Sequence, residues 1–256
     1  MPPILGGQGA YCSSSGINRR SERILIISHK YKFIFIKTKK TAGTSIEVYL
    51  SQFCGEDDVV TPIWPHVEPH RARNYQGLWN PLPEIIESRG RDLKATLKMT
   101  WRHLWRRHRY VRHLPATIIR ARTSREVWET YFKFCVERNP WDKTLSHYAM
   151  INDRKGGVLT LDEYFDRRWF CINYPKYTDS RGAILVDRVL KYESLMQELT
   201  QVFGQLGIPF AGSLGVRAKS EHRTDRRPHQ EVFTSRQREI IDKAFAPEIA
   251  MHGYVF

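Results

Sequence analysis

The residues best suited to chemistry in this sequence stand in one short run, Lys40-Thr41-Ala42-Gly43-Thr44-Ser45. Small side chains let a backbone approach a ligand closely, so the amides of Thr41 to Ser45 can converge on an anion. The hydroxyls add donors, and the Lys40 ammonium stands at the entrance to neutralise charge. If the run opens a helix, the helix N-terminus supplies about half a positive charge as well. Such a site suits phosphate or sulfate. The order departs from the Walker loop G-x-x-x-x-G-K-[ST], because the lysine precedes the turn, and this disfavours an ATPase or kinase of that class. A plain strand–helix corner with a solvated lysine uses the same residues.

Several elements must position this run. Residues 24–37 read as two short strands, with apolar residues at Ile24–Ile27 and Phe33–Ile36. The second is nearly continuous, as in a strand buried on both faces of a parallel sheet. After the turn, Ile46, Leu50 and Phe53 recur at helical spacing. A second unit begins with a helix near 123–130 and a strand over 132–136. That strand runs into ERNPWDKTLSHY, where Pro140 and Asp142 open a helix that buries Trp141, Leu145 and Tyr148. Thr160 with Glu163 and Thr234 with Gln237 form capping-box patterns. Residues 184–193 read as a strand, and Leu195, Leu199, Val202, Phe203 and Leu206 mark a helix stopped at Gly207. The alternation predicts an α/β domain built on a parallel sheet. Residues 1–21 read as a flexible lead-in and 22–256 as one domain. Its proline-rich, basic stretch at about 62–112, including WRHLWRRHRYVRH (101–113), reads as an irregular excursion with a short helix or two.

The segment KTKKTAGTS (37–45) after an apolar strand resembles the 5′-phosphosulfate loop of sulfotransferases that use 3′-phosphoadenosine 5′-phosphosulfate (PAPS). It is most similar to the branch that includes heparan sulfate 2-O-sulfotransferase and bacterial carbohydrate-type relatives. The resemblance implies a P-loop-like, three-layer domain with a central parallel sheet flanked by helices. It implies that the amides of Thr41, Ala42, Gly43, Thr44 and Ser45 hold the phosphosulfate. Lys40 would bridge the leaving phosphate and the transferring sulfuryl group. In that family a second strand ends in an arginine, with a serine eight residues later; here these are Arg138 and Ser146. The planar guanidinium fits a phosphate bidentately. A downstream loop surrounds the 3′-phosphate and adenine in the family, which points to Lys219 or Arg223 within 216–230, although a solvated charged loop reads equally well there. The resemblance covers 24–53, 110–149, 184–206 and 234–256, and more loosely RNYQGLWNP (73–81).

Transfer to an alcohol needs a base for the hydroxyl proton. His113, in RHLPATIIR, stands in the H-x-x-A context of the same branch, and the resemblance implies that it is that base. An ordinary histidine pKa near 6.5 suits the work. Glu137 is a second candidate and equally an arginine partner. His103 and His108 fall in the excursion, and His66 and His70 have no metal-ligand companion at useful spacing, so no metal is expected.

The bulk numbers bound the rest. With 41% hydrophobic residues in 256, the chain can build a sizeable core. Lys and Arg outnumber Asp and Glu by 41 to 27, giving +14, a surface that attracts polyanions. The four cysteines Cys12, Cys54, Cys135 and Cys171 show no zinc or redox spacing. No apolar run is long enough for a signal peptide core or a membrane span, so a cytoplasmic protein without an integral membrane segment is expected. The expected function is O-sulfotransfer from PAPS to a hydroxyl-bearing acceptor, an anionic glycan or a hydroxylated natural product, with no nucleic-acid partner. Two alternatives stand beside it. A non-catalytic nucleic-acid binder would use the aromatic-basic run 101–113. A nucleotide kinase would need the missing Walker glycine and an acidic Mg²⁺ ligand set.

Overall fold

The structure is a computed structural model that describes residues 25–63, 66–87, 93–111, 113–215 and 227–256. The expected lead-in, Cys12 and both Lys219 and Arg223 lie outside the described residues. Five strands, β1 (Ile26–Ser28), β2 (Phe33–Phe35), β3 (Val59–Val60), β4 (Phe132–Glu137) and β5 (Arg188–Lys191), form one sheet in the order β3-β1-β2-β4-β5. β2, β4 and β5 run parallel, but β1 is antiparallel to both β2 and β3. The expected parallel sheet is thus corrected to a mixed one. Only residues 29–32 separate β1 from β2, and Lys32 turns the chain at φ 52°. A link that short closes a hairpin, whereas a parallel pair needs a crossover of roughly a dozen residues.

The apolar strands are buried on both faces, as their patterning requires. Phe33, Phe35, Phe134 and Val136 face α1 (Gly43–Ser51) and α9 (Leu195–Leu206), packing with Ile46, Leu50, Leu199, Val202 and Phe203. Ile34, Ile36 and Cys135 face the other way, against Ile118 and Ile119 of α4 (Ala116–Arg122) and Tyr177 of α8 (Tyr174–Tyr177). β5 is shorter than the expected strand over 184–193. The Leu185 amide donates to the Tyr177 carbonyl (2.8 Å), so sheet pairing begins only after Asp187 donates to the Lys133 carbonyl (2.8 Å).

Local signals set the helix ends. The Asn139 side chain accepts from the amides of Trp141 (3.0 Å) and Asp142 (3.2 Å) and so starts α6 (Pro140–Arg154). Thr160 with Glu163, and Thr234 with Gln237, close capping boxes on α7 (Leu161–Asp166) and α11 (Ser235–Ala244). α9 stops at Gly207, whose left-handed φ of 70° a residue without Cβ adopts at least cost. Trp141, Leu145, Tyr164, Phe165, Ile241 and Phe245 knit α6, α7 and α11 into a separate apolar cluster.

The basic excursion is more ordered than its composition suggests. It carries α2 (Leu82–Glu87) and α3 (Leu93–Trp105). Glu84, fully buried on α2, accepts from Arg122 Nε and Nη2 (both 2.8 Å) and from the Thr100 hydroxyl (2.7 Å). This ties both excursion helices to α4. Removing one partner of so buried a pair costs about 3–5 kcal/mol, so the tie fixes the excursion in place. Among the described residues no helix is long and apolar enough to cross a membrane.

Candidate functional site

Three parallel strands deliver their C-terminal ends to one edge of the sheet, and the segments that follow meet there. After β2 the chain turns through Lys40 (φ 62°) and Ala42 (φ 57°), both left-handed, and Ala42 is the N-cap of α1. Left-handed non-glycine residues cost roughly 1–3 kcal/mol each and persist only where neighbours fix them. Here the Thr38 hydroxyl donates to the Val136 carbonyl and pairs with the Thr41 hydroxyl at 2.8 Å. The buried Asn173 side chain clamps the next residue, accepting from the Lys39 amide (2.9 Å) and donating to its carbonyl (3.0 Å). No side chain caps α1. Its opening amides, Gly43 and Thr44 among them, therefore lack an intrahelical acceptor and carry the positive end of the helix dipole.

Gly43 earns its place differently from the expectation. Lys37 runs beneath the turn, its Nζ donating to Thr44 Oγ1 at 2.8 Å and lying 3.5 Å from Glu47. A Cβ on Gly43 would come within 2.7 Å of Lys37 Cγ. The glycine makes room for this buried lysine, which the sequence reading did not single out. The Thr41 hydroxyl is likewise turned inward, onto Thr38, and is not one of the donors that face the turn.

Lys40 is half-buried and forms no hydrogen bond or ion pair among the described residues. Burial lowers its pKa to about 8; Arg138 and Arg154 push the same way, against the opposing effect of Cys171. Arg138 follows β4 directly. Its guanidinium lies 4.3 Å from the ring centroid of Tyr192, which follows β5, and its Nε is buried without a partner among the described residues. Arg154 is exposed at the end of α6. No carboxylate among the described residues pairs with any of these three cations. Ser146 is half-buried on α6 and its hydroxyl forms no hydrogen bond among the described residues. The edge is therefore a cationic, partly desolvated site with a helix N-terminus opening into it, able to hold an anion with more than one charged end.

Glu137 is committed elsewhere. Fully buried, it accepts from Lys143 Nζ (2.6 Å), the Arg138 amide (2.9 Å), Asn173 Nδ2 (3.3 Å) and the Tyr177 hydroxyl (3.2 Å). It braces the strand end and has little freedom to take a proton from a ligand.

His113 lies against the turn, at φ 48°. Its Nδ1 is 3.1 Å from the Lys37 carbonyl, which can only accept, so Nδ1 carries the proton and Nε2 the lone pair. Lys176 Nζ donates to the His113 carbonyl at 2.7 Å. Burial holds the imidazole pKa well below its usual value, and Lys37, Lys176 and Lys39 add to the effect. The ring is neutral at physiological pH.

Besides Lys37, four participants escaped the sequence reading: Asn173, Lys176, Tyr192 and Arg154. Asn173 and Lys176 sit in CINYPKY, which has no periodicity to flag them. Tyr192 stands just past its strand, as Arg138 does past β4. Arg154 lies eight residues beyond Ser146, about two helical turns, so its face was legible. Among the described residues no cluster of three His, Cys, Asp or Glu could hold a metal ion.

No family model and no solved structure matches the chain. A protein of Archaeoglobus fulgidus, named an uncharacterized protein, is 33% identical over 101 residues, spanning 38% of this chain and 84% of its own length. With most of the archaeal protein matched at that identity, the chain belongs to the same family as this uncharacterized A. fulgidus protein.

Proposed function

We propose that the chain transfers a sulfuryl group from PAPS to a hydroxyl of a glycan or another hydroxylated small molecule, releasing 3′,5′-adenosine diphosphate. One observation carries this reading. Lys40, beside the uncapped N-terminus of α1, and Arg138, at the end of the neighbouring parallel strand, are cations without a carboxylate partner among the described residues. A nucleotide phosphorylated at both 3′ and 5′ positions needs two such anchors.

In this reading the first-turn amides of α1 and Lys40 hold the 5′-phosphosulfate. Arg138, with Ser146, takes the 3′-phosphate; the expected contacts of Lys219 or Arg223 fall outside the described residues. The acceptor oxygen attacks sulfur as the bond from sulfur to the phosphate oxygen breaks. Lys40 meets the charge that develops on the departing oxygen. The hydroxyl proton goes to His113 Nε2, the nitrogen left unprotonated by the bond to Lys37. At rest the lowered pKa makes His113 a weak base. The negative charge of a bound phosphosulfate raises it toward the working pH. The exposed positive charge of the excursion favours an anionic acceptor.

Calorimetric titration with 3′,5′-adenosine diphosphate, with ATP and a short RNA as controls, tests the reading. Selective binding of the 3′-phosphorylated nucleotide is expected. Lys40→Ala and Arg138→Ala should each weaken it by about 2–5 kcal/mol, at least ~30-fold. His113→Ala should bind normally and lose turnover in an acceptor screen. Preference for ATP or RNA, or no binding at all, would remove the proposal.

A further inference from the structure

Beyond the net positive charge that the transfer reading draws on, the excursion presents an exposed apolar surface. Along α3, Leu93, Leu97, Trp101 and Trp105 recur every four residues, and all four are exposed, Trp101 by 74% and Trp105 by 78%. At 100° per residue this row spans a sector of about 120°. Each member is followed by a cation: Lys94, Lys98, Arg102 and Arg106, all exposed. On the flank away from the cations, about 20° and 80° beyond Leu93, the helix carries the buried Thr100 and His103, whose partners Glu84 and Arg122 hold it to the domain. α3 contains no acidic residue. Leu82 and Ile86 on α2, which packs against α3, are exposed as well.

Two exposed indoles in an apolar row are costly in water and call for a cover. The chemistry of that cover follows from the flanking charge. Another apolar protein surface would need no adjacent row of four cations, and the repulsion within the row opposes close packing of a second copy. An anionic lipid surface satisfies both halves. Indole and leucine side chains settle at the headgroup boundary while lysine and arginine reach the phosphates beside them. We propose that α3 lies in the plane of an anionic membrane and docks the domain there as a peripheral protein. The inference stands apart from the transfer reading, since none of the residues assigned to that reaction takes part.

Co-sedimentation of the full chain with vesicles of phosphatidylcholine alone, and of phosphatidylcholine with phosphatidylglycerol, tests it. Binding is expected only to the anionic vesicles, with a blue shift of tryptophan emission and loss at raised salt. Trp101→Ala with Trp105→Ala, and separately Lys94→Gln with Lys98→Gln and Arg102→Gln, should each reduce the partition on the order of tenfold or more. Both variants should keep the thermal midpoint, because they change exposed side chains alone; if the tryptophan variant misfolds, the glutamine variant decides. No binding to anionic vesicles overturns the proposal. So does binding that persists unchanged in both variants, or a dimer in light scattering that the tryptophan variant dissolves, since a second copy would then be the cover.

Discussion

Lys40 is placed where its own charge is a liability until an anion arrives. Partly desolvated and close to two arginines, it has a pKa lowered from the usual 10.5 to about 8. A bound phosphate or sulfate favours the ammonium and raises that pKa again. The linkage therefore has a definite sign. Below pH 8 the lysine is charged before binding and affinity is at its full value. As pH rises through 8 the free protein loses the proton that the complex requires, and affinity falls by up to about tenfold per pH unit until the pKa of the complex is reached. Titrations of 3′,5′-adenosine diphosphate between pH 7 and 9.5 should show this fall in the native chain and not in Lys40→Arg, whose guanidinium keeps its proton throughout. An affinity flat in pH for the native chain would mean that Lys40 does not touch the anion.

The strand–turn–helix corner shows how far element-level reading reaches. That a buried strand precedes small residues and an amphipathic helix was legible from periodicity, because burial on both faces leaves an unbroken apolar run. Helix starts at Pro140, Thr160 and Thr234 were legible because their chemistry is local: a proline suits the first turn, and a threonine oxygen meets an amide three residues on. The direction of β1 was less so, since nothing in an apolar run states its partner; only the short link to β2 decides it. Least legible was the reason for Gly43, which depends on Lys37 folding back beneath it. That contact yields a prediction. Gly43→Ala must displace the Lys37 stem from Thr44 and Glu47, at a cost of about 1–3 kcal/mol in unfolding free energy. Nucleotide affinity should drop with it, since the turn loses its floor. Gly55→Ala, where a Cβ meets nothing within 4 Å, serves as the control and should change neither. Equal denaturation midpoints for the two variants would show that the turn tolerates a Cβ.

Across the whole molecule the surplus of positive charge divides into unlike parts. Arg122 is consumed in a buried pair, Lys40 and Arg138 line the sheet edge, and the lysines and arginines of α3 face outward. Composition alone could not separate these, because burial is a property of the fold. The same sorting applies to histidine and sets the acid limit of the fold. Burial lowers the pKa of His103 to about 4 and of His147 to about 3, and holds His113 well below its usual range, with neighbouring cations adding in each case. His103 Nδ1 also accepts from Arg122 Nη2 at 3.2 Å, so protonation would replace an acceptor with a charge facing a guanidinium. Groups whose pKa is lower folded than unfolded contribute stability above pH 6.5 and lose it as pH falls. Each costs about 1.4 kcal/mol per pH unit down to its folded pKa. Glu47 acts oppositely: burial outweighs the Lys37 charge and raises its pKa, so its protonation in mild acid offsets part of the loss. With five histidines held below their usual pKa, His70 and His252 included, against the raised carboxyls of Glu47 and Glu248, the net slope between pH 6.5 and 4.5 is downward. Denaturant unfolding across that window should show stability falling with acid. His103→Asn, which keeps an acceptor for Arg122 and cannot be protonated, should flatten the fall by about one proton's slope. An identical slope in this variant would mean that His103 is not among the groups that set it.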